Sequence, residues 1–396
     1  MKIRFAPGNL TSKLKYLARS DQILYRTSDT NDDPTWAVST VLVPKKWERT
    51  LPGVVSYQMS YDSACIDSSP SYQLATALDG IRYDVLDKML DRGWHVSIPD
   101  YEGPFASFGA GRMAGELTLD SMRAFEFVSN GRYGVSSEKL HFAAWGYSGG
   151  ALATAWSYLR KIEHAVPIKK KLRSYVIGGL PVDLLAALNA WDGTEAAGTA
   201  LNAISGLMNE YPVVNDTIQL AAKTTGPFNI TVFDRVKTQT FKESKAEYEF
   251  QNLSNYFVDG LNQVVGQLRA EKFDRKIALT KLPAVEPLDL PQHFLVYHAV
   301  DDKIAPIEDV DNLMYKHWCK SRNVIDLHRN HEGGHVETGD AGVDVAMDWI
   351  AKRFEYLFRV QDNPTDLDLW EDPQPRCDVR EVSYKPSLED MDGYID

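Results

Sequence analysis

Gly146-Tyr147-Ser148-Gly149-Gly150 has the residue types and spacing to make and break a covalent bond. A serine hydroxyl is a weak nucleophile and acts only beside a base that a third group holds in place. The setting suits that chemistry. Residues 139–145 (KLHFAAW) read as a short buried strand and 149–163 as a helix, so Ser148 falls on the turn between them. Such a turn forces strained backbone at the serine and tolerates only small neighbours. Gly146, Gly149, Gly150 and Ala151 meet that need. Glycine-rich strand–helix turns also occur without chemistry, so the partners decide.

In open α/β sheets with this elbow, the acid and then the base follow the nucleophile at the ends of later strands. The strand 293–300 (HFLVYHAV) runs into Asp301-Asp302-Lys303-Ile304-Ala305-Pro306, where Asp302 is favoured as the acid and Asp301 competes. The strand 324–327 runs into Arg329-Asn330-His331-Glu332-Gly333-Gly334-His335. His335, with a helix close behind it, is favoured as the base over His331. The other seven histidines fall inside expected strands or helices. Asp100 and Glu102 follow a strand and are expected to order that loop and shape a wall of the site. Cys319 is read as a packed thiol in a helix, and the run Lys169-Lys170-Lys171 with Arg173 as a solvated loop.

The elements that must position these residues alternate along the chain. Strands are expected at 36–46, 54–61, 94–99, 139–145, 174–177, 293–300 and 324–327. Helices are expected at 71–91, 112–128, 149–163, 307–321 and 343–358, each with apolar residues recurring every three or four positions. Strands alternating with helices imply a mostly parallel sheet covered on both faces. Between 183 and 281 the strand signal disappears and helical periods take over. The expected organisation is therefore a core of 1–182 and 282–360, a helical cap insertion of 183–281 and an acidic C-terminal tail of 361–396. That tail has eleven acidic and three basic side chains, which suits a solvated segment.

The whole chain of 396 residues is acidic, with 43 basic against 55 acidic side chains, which repels phosphate backbones and argues against nucleic acid as a partner. No run of about eighteen apolar residues marks a membrane span. Three cysteines are too few for a disulfide framework and leave room for one bridge. N-x-S/T sequons stand at Asn9, Asn215, Asn229 and Asn252. The first residues lack the apolar stretch of a signal peptide. The expectation is a cytoplasmic protein, with secretion after removal of a signal peptide as the alternative. No metal cluster, phosphate loop or nucleotide fingerprint is present, so no cofactor is expected.

Several blocks together resemble the fungal secretory lipase family over roughly 36–358. They are Tyr61-Asp62-Ser63, Pro70-Ser71-Tyr72, Pro99-Asp100-Tyr101-Glu102-Gly103, Ala110-Gly111-Arg112, Trp145 to Ala151 (WGYSGGA), Asn209-Glu210-Tyr211-Pro212, Tyr297 to Pro306 (YHAVDDKIAP) and Gly334-His335. The resemblance implies an α/β-hydrolase fold, a mostly parallel sheet with helices on both faces and a helical cap insertion. It implies a catalytic Ser148, Asp302 and His335, with an oxyanion hole at Asp62 and Gly149. Ser68 stands where similar secreted members carry a cysteine. The function implied is a serine carboxylic-ester hydrolase, acting through an acyl-enzyme on a small or medium hydrophobic ester. The same residues would serve an acyltransferase or other biosynthetic tailoring enzyme of fungal secondary metabolism, and a binding protein on this fold is a third reading. The expected partner is a small-molecule ester, and the sequence leaves room for a homodimer.

Overall fold

The computed structural model describes residues 1–8, 10–47, 52–76, 81–281, 291–362 and 375–385. Ten strands form one sheet: β1 (Lys2–Phe5), β2 (Leu17–Ser28), β3 (Pro34–Pro44), β4 (Gly53–Gln58), β5 (His95–Pro99), β6 (His141–Tyr147), β7 (Leu172–Gly178), β8 (His293–Ala299), β9 (Val324–Asn330) and β10 (Arg376–Val382). Their order is β1-β2-β3-β5-β4-β6-β7-β8-β9-β10. From β5 to β10 every pairing is parallel. The first three strands join antiparallel at one edge.

The central strands are apolar because both of their faces are covered. Successive side chains point to opposite faces, so Phe142 and Ala144 of β6 join one apolar cluster while Ala143 and Trp145 join the other. The helices Gly111–Val128 and Gly149–His164 cover the first face, and Tyr83–Asp91 and Val343–Asp362 the second. β4 lies between β5 and β6, so the winding reverses there. Crevices beyond the carboxyl ends of strands at such a reversal are where α/β sheets bind ligands.

Between β7 and β8 the described residues carry helices, among them Leu184–Trp191, Ala197–Glu210, Pro212–Ala221, Phe241–Tyr248 and Leu261–Ala270. Their apolar side chains, such as Leu201, Leu207, Val214 and Val264, belong to the same cluster as the first sheet face. The insertion thus packs on the core as one continuous apolar mass.

Five local expectations need correction. β1 and β2 both precede the first expected strand, 36–46. The expected helix 71–91 is two helices in the described residues, Pro70–Thr76 and Tyr83–Asp91, with 77–80 lying outside them. In the expected tail, 376–382 form β10, paired along β9 from Arg376↔Val324 to Val382↔Asn330. The rest of that tail beyond 362, apart from 375 and 383–385, lies outside the described residues, as does the sequon at Asn9. Cys319 is not a free thiol, because it forms a disulfide with Cys377 of β10. The lysine run is only partly solvated: Lys171 pairs with Glu126, and Arg173 is buried.

Candidate active site

Ser148 caps the helix Gly149–His164 with φ of 53°, a left-handed conformation that an L residue holds only where the surroundings over-determine it. The surroundings do so sterically. A Cβ on Gly146 would meet Gly150 O at 2.1 Å, and one on Gly150 would meet Gln58 O of β4 at 1.9 Å. The Ser148 N–H donates to Gly178 O of β7 at 2.9 Å, closing the turn onto the sheet.

The structure brings Ser148, Asp302 and His335 together. Ser148 Oγ lies 2.9 Å from His335 Nε2, and His335 Nδ1 lies 2.6 Å from Asp302 Oδ2. The carboxylate can only accept, so Nδ1 carries the proton and Nε2 is left to accept from the serine hydroxyl. Asp302 Oδ1 accepts from the N–H groups of Ile304 (2.9 Å) and Ala305 (2.8 Å). Burial alone would raise its pKa, but the hydrogen bond and charge of His335 hold it below the ordinary aspartate value. Asp301 is exposed, and His331 is half-exposed and bonded to Glu381 Oε2 at 2.5 Å. Neither reaches the serine.

Asp62 lies in the loop after β4 with φ of 40°, its carboxyl against Gly149: a Cβ there would sit 1.8 Å from Asp62 Oδ1. Burial pushes the Asp62 pKa up to about 7, against the opposing pull of His335 and of the Gly149 N–H. Gly149 is the first residue of its helix, where unpaired N–H groups and the helix dipole favour negative charge. Behind this turn, Asp100 accepts from Ser71 N (2.8 Å) and Oγ (2.6 Å), ordering the loop as expected. Burial raises the Asp100 pKa to about 7. Glu102 is also buried, and desolvation followed by the charge of Asp62 drives its pKa well above the usual range.

Supporting residues were not evident from sequence. His298 of β8 is buried and bonds Ala305 O through Nε2 at 2.6 Å, so it closes the turn that carries Asp302. Burial lowers its pKa, which keeps it neutral beside Asp302. Tyr147 Oη donates to the His335 carbonyl, and its ring lies 5.1 Å from the imidazole. Asn330, at the end of β9, donates to Glu332 O (2.7 Å) and Thr338 Oγ1 (2.8 Å) and accepts from Tyr384 N (2.7 Å). The one sequence signal for these residues is position, since each lies within a few residues of a candidate. Among the described residues no group of three or more His, Cys, Asp or Glu could hold a metal ion.

A serine on a strand–helix elbow, with acid and base after later strands of a parallel sheet, defines an α/β-hydrolase. The chain belongs to the secretory lipase family, whose pattern matches residues 70–361. It is 30% identical over 370 residues to a trichothecene C-3 esterase of Fusarium sporotrichioides, covering 89% of this chain and 79% of that protein. It is 32% identical to Lipase 1 of Candida albicans, with 90% and 76% covered. Candida antarctica lipase A shares the fold, with a TM-score of 0.81 at 21% identity over 98% of this chain and 85% of that one. The chain is accordingly a carboxylic-ester hydrolase.

The cytoplasmic expectation is overturned by membership of a secretory family, which points to an extracellular protein. The Cys319–Cys377 bridge agrees, because such bonds persist in oxidising compartments. Among the described residues no helix is long and apolar enough to cross a membrane.

Proposed function

We propose that Ser148, His335 and Asp302 form the catalytic triad of a serine esterase, and that the main-chain N–H groups of Gly149 and Asp62 form its oxyanion hole. The observation that carries this reading is the unbroken chain of contacts from Ser148 Oγ to His335 Nε2 (2.9 Å) and from His335 Nδ1 to Asp302 Oδ2 (2.6 Å). Ser148 Oγ attacks the ester carbonyl while His335 Nε2 takes its proton. Asp302 holds the imidazole tautomer and stabilises the imidazolium. Each pre-aimed donor at the oxyanion contributes on the order of 3 kcal/mol to the transition state. His335 then protonates the leaving alcohol oxygen, leaving an acyl-Ser148 ester. Water, deprotonated by His335, attacks that ester and releases the carboxylic acid, and the proton returns to Ser148.

The proposed substrate is a small or medium hydrophobic ester of the kind met in fungal secondary metabolism. What supports this is the similarity to a trichothecene C-3 esterase at 30% identity, an enzyme named for an ester at C-3 of a trichothecene. Ser148→Ala should lower turnover of p-nitrophenyl butyrate by roughly 10⁴-fold or more. Near-wild-type hydrolysis by that variant overturns the assignment. A series of p-nitrophenyl esters of rising acyl length tests the substrate class, with a preference for long chains counting against it.

A further inference from the structure

We propose that Asn202, in the helical insertion, is a positioning residue that holds the oxyanion turn in register with Ser148. The proposal rests on the reading of Asp62 and Gly149 given above.

The turn needs a support that regular structure does not supply. Residues 59–63 have no helix or strand hydrogen bonding, and Asp62 sits at φ of 40°. Left-handed backbone at a non-glycine residue persists only when neighbours fix it. The start of the turn is tied to the core, where Ser60 Oγ donates to Tyr147 O and Tyr61 Oη accepts from Glu102 N at 2.6 Å, and its end is tied to the insertion. Ala64 N, two residues past Asp62, donates to Asn202 Oδ1 at 2.9 Å. Ser63 Oγ reaches Gln239 O at 3.4 Å while accepting from Cys65 N and meeting Ser68 Oγ at 3.0 Å.

Asn202 can do this because its own orientation is set. It is fully buried, and its Nδ2 donates to Gly198 O (3.0 Å) and Ser244 Oγ (2.7 Å). Gly198 O can only accept, so the amide cannot turn over without losing that bond and the one to Ala64. The helix beneath it is equally fixed. Gly198, Asn202 and Gly206 recur at four-residue spacing and share one face of Ala197–Glu210. A Cβ on Gly198 would lie 2.6 Å from Ser244 O, and one on Gly206 would lie 2.3 Å from Phe108 N. Main chain therefore abuts main chain on either side of Asn202. Asn209 Nδ2 adds a bond to Phe105 O at 2.7 Å. The insertion helix is anchored to the loop after β5 and delivers one acceptor to the oxyanion turn.

Ser68 completes the picture. Its buried hydroxyl donates to Ser63 Oγ at 3.0 Å and so orders the hydroxyl that reaches Gln239 O in the insertion.

The test is steady-state hydrolysis of p-nitrophenyl butyrate by the full chain carrying Asn202→Leu, Asn202→Asp or Ser244→Ala, with Ser148→Ala in parallel. Losing alignment of one oxyanion donor should lower kcat of Asn202→Leu by about 10²-fold with KM held within about twofold, the split expected of an interaction made only in the transition state. Asn202→Asp keeps an acceptor for Ala64 N–H and should recover most of kcat even if it unfolds at lower temperature. Ser244→Ala, which loosens the amide without removing it, should give a smaller loss in kcat alone. Unchanged kcat in folded Asn202→Leu overturns the proposal, as does an equal fall in Asn202→Leu and Asn202→Asp or a fall matched by a rise in KM. Should Asn202→Leu fail to fold, an unchanged kcat in Ser244→Ala overturns it. Near-wild-type activity in Ser148→Ala would instead sink the reading of the site itself.

Discussion

The two halves of the proposed triad are held by regions built in opposite ways. The nucleophile stands on an elbow whose constraints are local. β6 leads in, a helix leads out, and glycines at 146 and 150 let the main chain pass Gly150 O and Gln58 O with no room for a Cβ. The base stands on a loop held from a distance. His331 N donates to Val382 O at 2.9 Å, and Tyr384 N donates to Asn330 Oδ1 at 2.7 Å. The first partner ends β10 and the second lies two residues beyond it, and Cys377 bridges that strand to Cys319 across a separation of 58 residues. The elbow is therefore set by sterics within a few residues. The base loop depends on the docking of β10 and, in part, on oxidation.

This contrast can be broken from its strong side first. Gly150→Ala forces a methyl to within 1.9 Å of Gln58 O, a main-chain atom that cannot step aside. Overpacking of that kind costs about 3 kcal/mol or more, and any relaxation moves Ser148. The expected result is loss of fluorophosphonate labelling of Ser148 together with a lowered urea midpoint, and normal labelling would show that the elbow is not sterically set. On the remote side, replacing Cys319 and Cys377 by alanine should cost roughly 2–4 kcal/mol of stability while the elbow, and hence labelling at 25 °C, survives. Equal loss of labelling and stability in that variant would erase the distinction. Asn330→Ala removes the side chain that joins the base loop to Tyr384. Misplacing His335 by a fraction of an ångström should lower kcat about tenfold with KM little changed, and an unaltered kcat would mean that β10 docking does not reach the base.

The same contrast explains what the sequence made legible. Ser148 could be found because strand, serine and glycines are contiguous. Asp302 and His335 could be ranked because both follow apolar strands, although what separates Asp302 from Asp301 is the pair of N–H groups at Ile304 and Ala305. β10 (RCDVREV) was hidden because an edge strand carries charge on both faces. β2 was hidden for another reason: Asp21 and Gln22 are buried but satisfied by Arg132 and Arg4, so polar letters occupy sheet positions. The secretory setting was missed because the disulfide joins cysteines whose proximity depends on β9 and β10 pairing.

The smallest effect separates the two sides by pH. Asp302, on the base side, has its pKa held below 3.8 by His335, once the contrary effect of burial is overcome. Its contribution to stability is present above the unfolded value and is lost as pH falls through the acid range below about 4. Asp100, behind the oxyanion turn, behaves oppositely, because burial raises its pKa from 3.8 to about 7. Between those values the folded protein keeps a proton that the unfolded chain releases. Stability from this group therefore falls as pH rises from 4 to 7, by about 1.4 kcal/mol per pH unit at most. Asp100→Asn stays neutral throughout and should remove this group's share of the slope in urea unfolding measured at pH 4.5, 5.5 and 6.5, leaving the shares of Asp62 and Glu102 and the loss below pH 4 in place. A slope unchanged by Asp100→Asn would mean that the carboxyl is ionised in the folded protein and that the wall behind the oxyanion turn is better solvated than its burial indicates.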